Sequence, residues 1–340
     1  MAPAPQAGVA AAPARLAAFR PTRRSSSSLG RGRRAPLRPC AVAVPGSSQP
    51  VPPFNVVITG GSKGVGRALA AEFLRAGDNV VICARDGSAV QSAVEELRPL
   101  GRQHDGSARG AAAVHGMGCN VARPAEVAAF ADFAKEQLGT VDMWINNAGT
   151  NAYRVGPLAA QEHDDIIAIV ESNVIGTMLG CKEAIRVMRD QPSGGHIFNM
   201  DGAGADGNPT PRFAAYGATK RGLAQLGKSL RSELRSEGLK KIGVHNLSPG
   251  MVTTDLLMAG TNTPVAKWFV NCLAEEPETV AKFLVPRIRA VPEASRSLLP
   301  WDEGVGRHQY IRFLTNQKAY SQICARLLTG VRKNRFVAEE

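Results

Sequence analysis

Tyr216 and Lys220 stand four residues apart in a stretch, residues 213–237, whose apolar spacing predicts a long helix. That spacing puts both side chains on one helix face. A phenol ordinarily ionises near pH 10, too high for easy proton exchange at neutral pH. A neighbouring ammonium favours the phenolate and is expected to draw Tyr216 down. Such a pair suits a general acid that protonates a carbonyl oxygen while hydride adds to the carbon.

A second feature binds rather than reacts. Gly60-Gly61-Ser62-Lys63-Gly64-Val65-Gly66 follows a β-branched run at 54–59 and opens a helical stretch. In that position Gly60 permits a tight turn, Gly64 lets the backbone approach a pyrophosphate, and Gly66 lets helix and strand pack closely. The helix N-terminus offers unpaired N–H groups and a positive dipole end to the anion. After the second strand, where an acidic residue would take the ribose 2′-hydroxyl of NADH, Arg85 comes first and Asp86 second. Arg85 suits a 2′-phosphate, and Lys63 adds positive charge, so NADPH is the expected cofactor. Asp86 keeps NADH open.

The elements that must hold these residues alternate along the chain. Strands are expected at 54–59, 79–84, 141–146, 196–200 and 242–247, and helices at 67–76, 91–97, 125–138, 165–189 and 213–237. Residues 101–118, rich in Gly, Ala and Arg, read as a loop. The alternation implies right-handed crossovers and a parallel sheet covered on both faces. The fold class is therefore α/β, a Rossmann-like doubly wound parallel sheet in a single domain, residues 49–340. Residues 256–310 would form a helical substrate lid, with Val265, Trp268, Phe269, Cys272 and Leu273 on one helix face. Residues 293–309 read as an extra loop. Residues 311–340 form a basic C-terminal extension. It suits either docking on an anionic membrane surface or packing as an ordinary helix.

The net charge of +12 on 340 residues suggests nucleic acid until its distribution is considered. Eight arginines and no acidic residue lie in residues 1–48, which leaves +4 for the remainder. The body is near-neutral, so no nucleic-acid partner is expected. The Arg- and Ser-rich, acid-free leader has the composition of an organelle transit peptide. Its Pro and Ser, and the stretch Arg38-Pro39-Cys40-Ala41-Val42, favour a chloroplast. Leu16 and Phe19 on one side of a short helix would suit a mitochondrial address. No window approaches 18 consecutive apolar residues, so no transmembrane helix is expected. The six cysteines are scattered and the histidines lack ligand spacing, so no metal site is expected.

Taken in order, the glycine loop, Asn146-Asn147-Ala148-Gly149, Asn173, Tyr216, Lys220 and Ser248-Pro249-Gly250 resemble the short-chain dehydrogenase/reductase family over roughly residues 54–255. The resemblance implies that Tyr216 is the acid, Lys220 the ribose binder and Asn173 the relay support. It implies that Asn147, Ala148 and Gly149 border the cofactor, that Pro249 and Gly250 turn around the nicotinamide, and that Thr253 contacts its carboxamide. Ser62, Val65, Val121 and Val252 join the cofactor set by the same likeness. Asn120 stands where an adenine-contacting Asp is common. The family also places a Ser about 13 residues before the tyrosine, where this chain has Gly202 and Ala203 after Asp201.

Within that family, residues 196–204, 209–220, 245–258 and 310–340 are similar to the chlorophyll(ide) b reductase group, in its shorter form without transmembrane helices. The likeness implies reduction of the 7-formyl group of chlorophyll b or chlorophyllide b by NADPH, the first step of chlorophyll b breakdown in senescence. It also implies a homo-oligomer, or a hetero-oligomer with a membrane-bound homologue, built on the helices at 165–189 and 213–237. The expected location is the chloroplast stroma or the thylakoid periphery. Two other readings stand beside it: a non-catalytic scaffold subunit that binds a dinucleotide, and a reductase of another apolar carbonyl compound.

Overall fold

The computed structural model describes residues 49–102, 111–296, 304–305 and 307–339. The expected transit peptide, residues 1–48, lies outside the described residues.

Among the described residues, seven strands form one parallel sheet in the order β3-β2-β1-β4-β5-β6-β7. They are β1 Asn55–Thr59, β2 Asn79–Ala84, β3 Val114–Gly118, β4 Met143–Asn146, β5 Gly195–Met200, β6 Ile242–Ser248 and β7 Tyr310–Arg312. Alternate residues of each strand point to opposite faces, so the central strands must be apolar on both. Val56 and Ile58 of β1 pack with Leu69 and Phe73 of α1 (Gly64–Arg75) and Leu284 and Ile288 of α9 (Pro277–Arg289). Val57 and Trp144 pack on the other face with Phe130 of α3 (Pro124–Leu138) and Val187 of α5 (Gly176–Met188). The remaining helices are α2 Gly87–Arg102, α4 His163–Val170, α6 Ala214–Ser236, α7 Asp255–Met258, α8 Pro264–Leu273, α10 Val291–Ala294 and α11 Asn316–Thr329.

Four expectations need correction. Residues 101–118 are not all loop, because β3 occupies Val114–Gly118. It is an edge strand with one neighbour and buries only Val114, so its sequence lacks a strand's alternation. Gly116 supplies no side chain because Val90 and Val94 of α2 fill that space. The helix expected at 165–189 is interrupted by a π-helical turn, Glu171–Ile175, that contains Asn173.

The apolar face expected on α8 is split. Cys272 and Leu273 are buried, whereas Val265 and Phe269 are exposed. Asn271 holds the core position instead. Its side chain accepts from the Phe336 and Val337 amides and donates to the Val337 carbonyl, binding the C-terminus to α8.

The C-terminal extension, finally, spends much of its positive charge internally. Arg332 and Arg335 grip the two carboxylate oxygens of Glu275 at 2.8 and 2.6 Å, and Arg326 is buried against Glu339. Burial pushes the Glu275 carboxyl up, but Arg335 and Arg332 outweigh it and hold the group low. No helix among the described residues is long and apolar enough to cross a membrane.

Candidate active site

The strand order reverses between β1 and β4, so the loops leaving their C-terminal ends run to opposite sides and open a crevice. The glycine loop leaves β1 there, and Asn147-Ala148-Gly149 leaves β4. Thr59, the last residue of β1, joins the two: its hydroxyl accepts from the Asn147 and Ala148 amides at 3.1 and 3.0 Å. The Asn147 side chain donates to the Thr59 and Gly60 carbonyls at 2.9 and 3.1 Å. Gly60 and Gly64 have φ of 68° and 56°, a left-handed conformation that glycine adopts without a Cβ penalty. Any Cβ on Gly66 would run into the Gly60 carbonyl. α1 starts at Gly64, three residues earlier than expected, so its free N–H groups face the crevice mouth. Ser62 and Val65 are partly accessible in this turn.

Lys63 is turned elsewhere. It pairs with Asp255 at 2.7 Å and lies 5.5 Å from the Tyr153 ring centre. The Asp255 carboxylate is the main reason its ammonium is held above the usual value. Arg85 is exposed beyond the end of β2. Asp86 is already engaged: its Oδ1 accepts from the Ser88 and Ala89 amides and the Ser88 hydroxyl, capping α2. These bonds, the Ser88 hydroxyl first, draw its carboxyl down.

Asn120 lies partly accessible after β3, its Oδ1 accepting from the Ala122 amide, and Val121 is buried beside Gly176. Pro249 is buried, and Gly250 is left-handed at φ 73° against Leu314. Val252 pairs with Glu275 in an isolated bridge, and Thr253 donates its amide and hydroxyl to the Glu275 carbonyl. The Arg332–Glu275–Arg335 clamp therefore holds this loop from behind.

Asn173 is fully buried in the π turn, a feature frequent at functional sites. Its Oδ1 accepts from the Thr150 amide at 2.8 Å, and its Nδ2 donates to the Thr150 carbonyl and the Thr219 hydroxyl. Gly149 lies over it: a Cβ there would stand 3.0 Å from Asn173 Oδ1 and 3.6 Å from Lys220 Nζ. Lys220 is buried, donates to the Met200 carbonyl at 3.0 Å and lies 5.6 Å from the Tyr216 ring centre.

The electrostatics correct the expectation for Tyr216. Burial, reinforced by Asp201, pushes its phenol up instead. Lys220 itself is pushed down to about 8 by burial, with Asp201 opposing. Tyr216 thus keeps its proton at neutral pH, as a proton donor must.

Gly202 is the residue opposite the acid. A Cβ there would collide with the Tyr216 hydroxyl, whereas Ala203 is exposed. Asp201, one step earlier, is 4% exposed and accepts a bond from the Tyr310 hydroxyl. Sequence reasoning did not link Tyr310 to the site, nor did it find Asn151, Tyr153 or Asp255 at its rim. Asn151 donates to the Leu256 carbonyl and brings the loop after β4 against α7. No local pattern marks such pairs.

The sequence matches the short chain dehydrogenase family over residues 55–264. The chain belongs to that family. It is a nicotinamide-dependent oxidoreductase. It is 49% identical over 347 aligned residues to "Chlorophyll(ide) b reductase NOL, chloroplastic" of Oryza sativa subsp. japonica, covering 100% of this chain and 95% of the relative. To the protein of that name from Arabidopsis thaliana it is 51% identical, covering 87% and 80%. Among solved structures, a short-chain type dehydrogenase/reductase from Mycobacterium marinum superposes with a TM-score of 0.62 at 24% identity, over 78% of this chain and 96% of that one. This last likeness concerns the fold.

Proposed function

We propose that the chain reduces the 7-formyl group of chlorophyll b or chlorophyllide b to a hydroxymethyl group with NADPH. The substrate reading is supported by the names of two relatives that match it at about half identity over most of its length. The chemistry is carried by one observation: Asn173 and Lys220 converge beneath Gly149, while the Tyr216 hydroxyl faces a residue without a side chain, Gly202.

The residues present fit a dinucleotide. Gly60 and Gly64 supply the left-handed turn, Gly66 lets α1 pack directly on the Gly60 carbonyl, and the N-terminus of α1 follows that turn. With Asp86 committed to capping α2, Arg85 is the free charge for a 2′-phosphate, which favours NADPH over NADH. When bound, the nicotinamide supplies the hydride that the formyl carbon accepts.

Tyr216 gives its proton to the formyl oxygen as that oxygen becomes an alkoxide. The phenolate left behind is balanced by the Lys220 ammonium and regains its proton from solvent through it. Asn173 holds the Thr150 backbone and Thr219 in place, fixing the floor under Lys220. Tyr216 is the side chain that meets the carbonyl oxygen, because Gly202 and Ala203, in the turn after β5, bring no hydroxyl.

The relatives' names and the composition of residues 1–48 support a chloroplast address. Exposed Ile167, Val170, Ile175 and Met178 recur along α4, the π turn and α5, a stripe suited to a second subunit. Exposed Leu327 and Leu328 on α11 suit a peripheral membrane contact more than the inward-turned arginines do. Incubating the purified chain with chlorophyllide b and NADPH tests the reading. A pigment heavier by two hydrogens at the formyl group is expected, and recovery of unchanged pigment would refute it.

A further inference from the structure

Asp201 occupies the last position before the turn that faces the acid, and it is a buried carboxyl in a site whose reaction has no use for one. Its surroundings are specific. From β7, the Tyr310 hydroxyl donates to Oδ2, and the Arg312 guanidinium lies 3.9 Å from the Tyr310 ring centre. From β6 comes the Ser248 hydroxyl, and from α6 come Lys220 and Tyr216. Oδ1 is buried without a hydrogen-bond partner. The two neighbours along the chain connect Asp201 to the acid pair: Met200 accepts from Lys220 Nζ through its carbonyl, and Gly202 abuts the Tyr216 hydroxyl. A charge fixed here acts on both groups across a short, water-poor path.

We propose that Asp201, tethered by Tyr310, is a positioning residue that keeps the transferable proton on Tyr216 and the positive charge on Lys220. The proposal rests on the reading of Tyr216 as proton donor. A negative charge beside a phenol disfavours the phenolate, and beside an ammonium it favours the charged form. Burial is the largest influence on the Asp201 carboxyl and on balance pushes it up, while Tyr310, Ser248, Lys220 and Arg312 draw it down and favour the charged form. The tether comes from the edge strand β7, so the strand that leads into the C-terminal extension contributes to the acid's proton affinity without touching substrate. Carbonyl reduction needs a phenol at the start of each turnover, and Asp201 biases the site toward that state.

The test uses the full chain with 3,5-difluorotyrosine at its four tyrosines, which brings phenol ionisation to lower pH. Fluorine NMR follows each residue's titration, and Tyr216→Phe assigns the resonance of interest. In Asp201→Asn, Tyr216 is expected to ionise about one pH unit or more below its value in the unmutated chain. Asp201→Glu, which keeps the charge, should restore most of the shift. Tyr310→Phe, which frees the carboxylate to turn outward, should produce a smaller shift in the same direction. Where pigment reduction is observed, the alkaline limb of its pH profile should move down with the resonance in Asp201→Asn. An unmoved Tyr216 titration in folded Asp201→Asn would overturn the proposal. Absence of pigment reduction in the unmutated chain would overturn the substrate reading and leave the fluorine result to decide this one.

Discussion

The backbone of Gly202 lies so close to the Tyr216 hydroxyl that a β-carbon there would overlap the oxygen. Of the two residues where the family's serine is expected, Gly202 has no room for a side chain in this backbone and Ala203 brings no hydroxyl. Gly202→Ser and Gly202→Ala are both expected to displace the acid and lower kcat/KM by about ten- to a hundredfold. Steady-state kinetics on the two variants check this. A serine variant as active as the unmutated chain would show that the turn adapts freely.

The division of labour between Arg85 and Asp86 gives a cofactor prediction. Arg85→Ala should raise KM for NADPH by about tenfold or more while leaving KM for NADH nearly unchanged, since a charge-assisted bond to the 2′-phosphate is lost. Asp86→Ala should lower the melting temperature through loss of the α2 cap, without changing the preference between cofactors. Parallel kinetics with both nucleotides separate the two outcomes.

The clamp on Glu275 predicts a coupling between the C-terminal extension and the loop at Val252 and Thr253. Glu275→Ala removes the carboxylate partner of Arg332 and Arg335 and leaves them only their bonds to the Ala274 carbonyl among those that hold this loop. It is expected to cost about 2 kcal/mol, less than a fully buried pair because Arg335 is one-third exposed. Denaturant midpoints measure the loss. Limited proteolysis should then cleave the segment after α11 faster than in the unmutated chain.

Acid should destabilise the fold through two buried histidines. His196 and His245 bond ring to ring at 3.0 Å, and His196 also meets Gln49. Burial lowers His196 to about 3, and burial together with His196, His308 and Arg231 lowers His245 well below the usual value. An unfolded histidine takes a proton near pH 6.5. The unfolded state therefore binds more protons below that pH, and stability present above it is lost as pH falls toward 3. Asp142, pushed up to about 6 by burial, works in the opposite sense below pH 6 and offsets part of the loss. The net expectation is a drop of about 2 kcal/mol between pH 7 and pH 5, measured by urea titration. His196→Asn should flatten that dependence.

Much of this architecture was legible where a local pattern coincides with a global requirement. β2 carries four consecutive buried apolar residues, Val80–Cys83, that face both sides of the sheet, and its limits, Asn79–Ala84, coincide with those expected. The glycine loop announces itself because each glycine meets a steric demand. β3 and β7 escaped notice because edge strands bury little and need no alternation. The π turn holds Asn173 where its side chain bonds Thr150 and Thr219, contacts that a helical period cannot encode. Asp201 and Tyr310 are 109 residues apart, and Lys63 and Asp255 192 apart, so only the folded chain brings each pair together.

The central claim is that Tyr216 protonates the carbonyl oxygen during hydride reduction of the formyl pigment. Single-turnover reduction of chlorophyllide b by NADPH, compared between the unmutated chain and Tyr216→Phe, tests it most directly. The account predicts hydroxymethyl product from the former and a rate about 10²–10⁴-fold lower in the latter, with cofactor binding retained. Equal rates in the two proteins would contradict it.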